Sequence, residues 1–186
     1  MRILRQRSLS SRQQNAGVAL FISLVMLLLL TIIGVSSVQT TTLEVRMARN
    51  EHDALLAFQA AESALRDAEF ALEAITSTVG FDNVGTDGLW LIADLGDPNR
   101  WDIVGVWTGG QSAAAPTNVA GVAAQPRFII EHAASVLREE NAYQIDDPYS
   151  ASAADRIEMF RITARGVGGS PNAIVLLQST YGRILD

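Results

Sequence analysis

The feature that most constrains this chain is an apolar run near its beginning. Residues 13–43 contain no charged side chain, and residues 18–35 read VALFISLVMLLLLTIIGV. Extended to Val38, the run has 21 residues, which as a helix measure roughly 31 Å and match the bilayer's hydrocarbon core of about 30 Å. A buried helix of a soluble domain would show a polar face within such a length. The run therefore predicts one membrane-crossing helix over residues 18–38.

The charges on either side of this run predict its orientation. Only basic side chains precede it, at Arg2, Arg5, Arg7 and Arg12. Beyond it, acidic and basic side chains alternate from Glu44 to Glu51. Because basic flanks stay in the cytoplasm, we expect residues 1–17 to be cytoplasmic and the remaining chain to cross the membrane. In a bacterium, the remaining chain would then lie in the periplasm.

A secretory signal peptide is the main alternative for this region, because basic residues also precede its apolar part. That part usually spans only about 7–15 residues, however, and no A-x-A cleavage site follows the run here. Ser36 and Ser37 are small residues that keep cleavage after the run open as an alternative.

A second helical pattern follows the apolar run. Residues 40–79 contain no glycine or proline, and apolar or small residues recur there at steps of three and four. We expect residues 39–79 to be an amphipathic helix that packs on the rest of the chain through Phe58, Leu65, Leu72 and Ile75. As one rod with the membrane helix, it would measure roughly 93 Å. The alternative is a membrane anchor, a short joint and a separate helix.

Glycine and proline become frequent after Gly80, so short strands and loops replace the helix. Three segments have strand character, RFIIEHA at 127–133, RIEMFRITARG at 156–166 and AIVLLQSTY at 173–181. The small residues of 108–126 predict a surface loop. The predicted fold class is therefore α+β, with the second half of a long helix packed on a small antiparallel sheet.

The composition argues against several kinds of site. A net charge of −6, from 14 arginines and 20 acidic residues, argues against nucleic-acid binding. The chain has no cysteine, and two histidines, His52 and His132, are too few for a histidine metal centre. The glycines of 166–169 lack the lysine of a phosphate loop, and no G-x-S-x-G occurs. We therefore predict neither a cofactor nor an enzymatic activity.

Two further sets of residues have more than one interpretation. The carboxylates of Glu139, Glu140, Asp146 and Asp147 offer oxygen ligands for Ca²⁺, but no DxDxDG loop is present, which favours a solvated acidic loop. Trp90, Trp101 and Trp107 are either anchors for a partner or part of the core, and we favour the core.

The sequence resembles a known family in two places. Residues 15–69 resemble the N-terminal region of PilX-type minor pilins of type IV pili, with the closest likeness in TTTLEVRM at 40–47 and QAAESAL at 59–65. The segment FRITARGVGGSPNAIVLLQSTY at 160–181 is similar to the end of the same family. Residues 80–155 show no such likeness.

This resemblance implies a processed N-terminus. Prepilins carry a short basic leader that ends in glycine, and a prepilin peptidase cuts it and methylates the new N-terminus. The matching bond here is Gly17–Val18, with N-methylation at Val18. The implied organisation is a cleaved leader of residues 1–17, a membrane half-helix of 18–38, a periplasmic half-helix of 39–79 and an α/β pilin head of 80–186.

Two residues depart from the pattern of most pilins, and the first is Val18, at a position of the mature chain that usually holds phenylalanine. The fifth position of the mature chain usually holds a glutamate that pairs with the terminal amine of the preceding subunit, and here it is Ile22. A subunit at the tip has no predecessor to pair with, so Ile22 points to a place at or near the pilus apex.

The resemblance thus implies a minor pilin in the bacterial inner membrane that primes pilus assembly near the tip and supports adhesion and twitching motility. Its implied partners are other minor pilins, a pilus-tip adhesin, the major pilin, the prepilin peptidase and the lipid bilayer. Two alternatives stay open. One is a tip pseudopilin of type II secretion (GspK-like), and the other is an unrelated periplasmic binding protein with a single-span anchor.

Overall fold

The computed structural model describes residues 11–137 and 156–185. They form one long helix, α1 (Ser11–Glu73), and a five-stranded sheet, which confirms the predicted α+β class. The strands are β1 (Leu89–Leu91), β2 (Ala113–Ala114), β3 (Arg127–Leu137), β4 (Arg156–Val167) and β5 (Ile174–Arg183). The chain divides into an N-terminal unit, Met1–Arg49, and a C-terminal unit, Asn50–Asp186, and α1 contributes residues to both.

The sheet is mixed rather than wholly antiparallel. Its strand order is β1-β3-β4-β5, and the three long strands run antiparallel as the sequence predicts. Strand β1, which the sequence did not predict, pairs parallel to β3, and residues 92–126 supply the long crossover that a parallel pair requires. Those residues include β2, a short strand within the predicted loop, which pairs antiparallel with the start of β3.

The helix ends at Glu73, six residues before the predicted Val79. Ala74 and Ile75 donate their backbone N–H groups to carbonyls three residues back, so the last turn tightens beyond the helix proper. The hydroxyl of Ser77 then accepts a hydrogen bond from Val79 N, which favours a separate 3₁₀ turn. Residues 39–50 are helical, whereas the sequence also allowed a short joint between two separate helices.

Small side chains form the buried face of α1. The fully buried positions of the helix are Ala57, Ala60, Ala61, Ala64, Ala68 and Leu72. Of the four residues expected to pack, Leu72 is fully buried, and Leu65 and Ile75 are partly buried against the same core. Phe58 is a correction, because it is 43 % exposed. It lies about 100° around the helix from Ala57 and so outside the row of buried alanines, whose small size lets the sheet approach the backbone.

The sheet buries side chains on both faces. On the face toward α1, the core combines the helix alanines with Phe128, Ile130, Phe160 and Ile162. On the other face, which we call the outer face, Trp90 packs with Val106 and Ile129. Trp101 and Trp107 are partly buried against that second cluster, and Trp90 Nε1 donates to Gln111 O at 2.8 Å. The tryptophans therefore pack in the core, as favoured from the sequence.

Candidate assembly site

The apolar run exposes all of its large side chains. Between Val18 and Val35 each large hydrophobic residue is 36–69 % exposed, and the described part of the chain buries none of them. The helix is long and apolar enough to cross a membrane. An apolar surface of this length requires a covering of lipid or of other helices.

Six hydroxyl side chains in and just after this run bond to the backbone of the helix that carries them. Ser23 Oγ donates to Leu20 O at 2.8 Å, and Thr31 Oγ1 donates to Leu28 O at 2.7 Å. The hydroxyls of Ser37, Thr40, Thr41 and Thr42 bond in the same way to carbonyls four residues back. Because hydrocarbon offers no hydrogen-bond partners, such internal bonds suit the segment to a lipid environment.

The residues of the predicted processing site lie within α1. A Cβ built on Gly17 would meet no atom within 4 Å, so the described chain leaves this position open. Val18 is 59 % exposed, and Ile22, one turn further on, is 54 % exposed. The structure thus places all three on an uncovered stretch of helix without an acidic or basic side chain from residue 17 to residue 43.

In the C-terminal unit, α1 lies unusually close to the end of β4. A Cβ built on Gly166 would stand 2.1 Å from Ala57 O and 2.4 Å from Ala61 N, so no larger residue fits there without moving the helix. A Cβ on Gly168 would meet Asp53 O at 2.4 Å. Glycine in β4 and its following turn therefore sets how closely the helix packs on the sheet.

Two helix carboxylates hold loops of the C-terminal unit. Asp53 accepts hydrogen bonds from both the backbone N–H and the hydroxyl of Ser170, in the turn between β4 and β5. These bonds hold the pKa of Asp53 below its ordinary value, since they favour the ionised form. Asp67 accepts in the same way from Thr117 N at 2.9 Å and Thr117 Oγ1 at 2.8 Å. The long loop before β3 and the β4–β5 turn are thereby fixed to the helix.

An ion pair crosses the outer face of the sheet. Arg161 donates to Glu131 through Nε at 2.9 Å and through Nη2 at 2.7 Å, and the Glu131 side chain is fully buried. The Arg161 guanidinium also lies 4.8 Å from the centroid of the Trp101 ring. Such a pair fixes one arrangement of the strands and the loop above them.

His132, Glu158 and Ser135 form a second polar cluster near the bulge of β3. Glu158 Oε2 lies 2.7 Å from His132 Nε2, and Glu158 Oε1 accepts from Ser135 Oγ at 2.7 Å. Burial raises the pKa of Glu158, but the hydrogen bonds from His132 and Ser135 outweigh it and hold this pKa below its ordinary value. The carboxylate stands between the serine and the histidine, whereas a hydrolase triad needs the histidine in the middle. The cluster therefore ties β3 to β4.

The part of the chain that the structure describes contains no group of three or more side chains able to hold a metal ion. The four carboxylates weighed as Ca²⁺ ligands, at positions 139, 140, 146 and 147, lie outside the described residues.

Sequence reasoning missed the residues that hold the helix on the sheet. The sequence did not single out Asp53, and its partner Ser170 is 117 residues away. Gly166 did carry a signal, because a glycine inside a strand pattern often marks a close approach of backbones. The alanines were predicted only in part, since the pattern gave equal weight to larger apolar residues.

Both parts of the chain match models of one family. Residues 16–66 match the model described as PilX N-terminal, and residues 76–183 match the model described as type IV pilus assembly protein PilX C-term. The chain belongs to the PilX family. Comparison with the curated proteins and with the solved structures gives no match.

Membership of the PilX family establishes the general role of the chain. It is a type IV pilus assembly minor pilin, a structural subunit that associates with other pilus components. Its long, exposed apolar helix makes it a membrane-anchored component of that system. The resemblance stated from residues 15–69 and 160–181 is confirmed, and the C-terminal match also covers the whole of residues 80–155, which showed no likeness.

Proposed function

We propose that this PilX-family chain is an apical minor pilin that primes pilus assembly and thereby supports adhesion and twitching motility. The observation that carries the proposal is Ile22, an exposed apolar residue in a charge-free stretch of α1. A subunit added beneath another needs a carboxylate there to pair with its predecessor's amine. A subunit at the apex has no such need, and an unpaired carboxylate within the membrane would be costly.

The proposal includes the topology and the processing of the chain. Residues 1–17 face the cytoplasm, the prepilin peptidase cuts between Gly17 and Val18, and Val18 becomes N-methylated. The head then lies in the periplasm, where it contacts other minor pilins and a pilus-tip adhesin before the major pilin joins below. The arginines before the apolar run and the absence of bases and acids within it support this orientation.

Processing is tested with a matched pair of glycine variants. Expression beside a prepilin peptidase should shorten the chain by its first 17 residues and leave N-methyl-Val18, as read by intact mass spectrometry. Gly17→Leu should block cleavage, because a side chain at this position obstructs the approach of the peptidase to the backbone. Gly34→Leu is the control, since Gly34 is equally open and lies in the same helix. An unprocessed wild-type chain that begins at Met1 contradicts the proposal.

The apical position is tested by returning the carboxylate. Deletion of the chain should sharply reduce pilus number while the major pilin is still made and processed. Ile22→Glu should insert or initiate less well, because an unpaired carboxylate in a membrane helix costs about 2.5–3.5 kcal/mol, by analogy with aspartate. Ile22→Leu should behave as wild type. If Ile22→Glu instead increases incorporation along pilus shafts with pilus number unchanged, the apical position is wrong.

A further inference from the structure

The two edges of the sheet differ in how they are protected. The β1 edge is three residues long, and residue Asp82 forms a further bridge to Trp90 on it. The β5 edge is ten residues long and pairs with β4 in an unbroken register. Among residues 11–137 and 156–185, no segment pairs with the other side of β5.

Strand β5 also lacks the devices that usually keep an edge from pairing. It contains no proline, no lysine and no acidic residue, and its single charge is Arg183 at its last position. Arg183 Nη1 donates to Leu72 O at 2.6 Å, so this charge is directed back to the helix. A long edge whose single charge is directed away presents a row of main-chain donors and acceptors that is ready to accept another strand.

The outer face beside this edge combines apolar side chains with a cation. Ile174 is 48 % exposed and Leu176 is 46 % exposed. Leu176 lies directly opposite Arg165 of β4, so the arginine stem runs beside it on the same face.

Arg165 differs in its hydrogen bonding from three other arginines of the long strands. The side chains of Arg127, Arg161 and Arg183 all donate to acceptors within the C-terminal unit. The guanidinium of Arg165 has no hydrogen-bond or ion-pair partner among the residues the structure describes, although the residue is partly buried. Burial lowers its pKa, as expected for a charge that has lost water without gaining a partner.

We infer that the β5 edge is the docking site for an extended, carboxylate-bearing segment of a different pilus subunit, which adds as a strand beside β5 and pairs its carboxylate with Arg165. The inference rests on the proposed function, which supplies other pilus subunits as partners. Main-chain hydrogen bonds to β5 hold the segment, and its apolar side chains cover Ile174 and Leu176. Two strand spacings of about 4.8 Å separate β4 from the added strand, a gap that an arginine and a glutamate side chain can bridge together.

A second copy of this chain does not satisfy the same site through its own β5. No residue of Ile174–Arg183 is acidic, so pairing of two β5 strands brings no carboxylate to Arg165. It would instead add the partner copy's arginines to the same surface, and like charges repel. Charge complementarity therefore argues against pairing of two β5 strands and favours a segment that carries a carboxylate.

The test places a photo-crosslinking amino acid at Gln178, an exposed position of β5, in the full chain in piliated cells. We expect an adduct with another pilus subunit, and mass spectrometry should locate it in an extended segment that carries an acidic residue. Arg165→Glu should reduce this adduct at least about tenfold, because it sets two like charges within reach. Arg156→Glu makes the same charge change on an exposed residue at the other end of β4 and should leave the adduct unchanged. Exchange of the partner's acid for arginine should restore the adduct in Arg165→Glu.

Other outcomes overturn the inference. These are an adduct only with a second copy of the chain, no adduct, or an adduct equally strong in Arg165→Glu. If Arg165→Glu lowers the amount of the chain in the membrane, Arg165→Gln replaces it as the test. The inference then requires the adduct of Arg165→Gln to fall as well, with the variant present in the normal amount. Pilus number in the deletion strain separates the two proposals. A deletion that abolishes piliation beside an adduct insensitive to Arg165 rejects the docking site alone, whereas a deletion without effect rejects the priming role.

Discussion

The two halves of α1 both present apolar side chains, but these side chains differ in size. Residues 18–38 carry leucine, isoleucine, valine, phenylalanine and methionine, all exposed in the chain itself. From Ala57 to Ala68 the buried positions are all alanine, and two of them, Ala57 and Ala61, lie against Gly166 of β4. Large side chains suit a fluid environment such as lipid, because lipid has no fixed shape that the side chains must match. Small side chains suit a rigid partner, because they allow two backbones to approach closely.

The largest effect that tests this comparison is the loss of a leucine from each half. Leu72→Ala should lower the free energy of unfolding of the C-terminal unit by about 2–5 kcal/mol, because Leu72 is fully buried and its removal leaves a cavity. Leu24→Ala, at a position 63 % exposed, should change it by less than about 0.5 kcal/mol. Tryptophan fluorescence of the full chain in detergent measures this, since Trp90, Trp101 and Trp107 all lie in the C-terminal unit. Equal losses for the two variants would mean that the halves do not differ as described.

A smaller effect concerns the close approach of the helix to β4. Gly166→Ala should destabilise the C-terminal unit by about 1–3 kcal/mol, because the added methyl meets the backbone of Ala57 and Ala61, which cannot move aside as a side chain can. Gly110→Ala is the control, since a Cβ there meets nothing within 4 Å. The same fluorescence-detected unfolding compares the two. A neutral Gly166→Ala would show that the helix can shift away from the sheet at little cost.

The smallest effect is a pH dependence that belongs to the C-terminal unit alone. The pKa of Asp53 in the folded chain lies below the ordinary value of about 3.9. The ionised carboxylate therefore stabilises the fold above about pH 3.9, and this stabilisation is lost as the pH falls through the folded pKa. Asp53→Asn should therefore lower the melting temperature slightly at pH 7 and flatten its fall in acid. Asp94→Asn, at an exposed position in a loop, is the control. Parallel acid curves for wild type and Asp53→Asn would exclude the contact with Ser170 as a source of stability.

The apolar run, the three long strands and the α+β class followed from local pattern. A stretch without charge needs no knowledge of its neighbours to be recognised, because its transfer to an apolar medium depends only on its own side chains. The alternation in β4 and the turn residues after it likewise act over short distances. The family resemblance also came from the sequence, through continuous segments whose likeness the family models confirm.

Contacts between distant residues were decided only by the tertiary structure. The periodicity of α1 gave a broad apolar stripe that included Phe58, but the buried face consists of alanines, and Gly166 of β4 lies opposite Ala57 and Ala61. The parallel pairing of β1 with β3 and the contact between Asp53 and Ser170 likewise join segments far apart in the chain. Local sequence determines what each segment can become. Which other segment it packs against depends on the fold of the whole chain, because several segments could cover the same apolar surface. The size of the residues at the contact, such as glycine or alanine, then sets how closely the two segments pack.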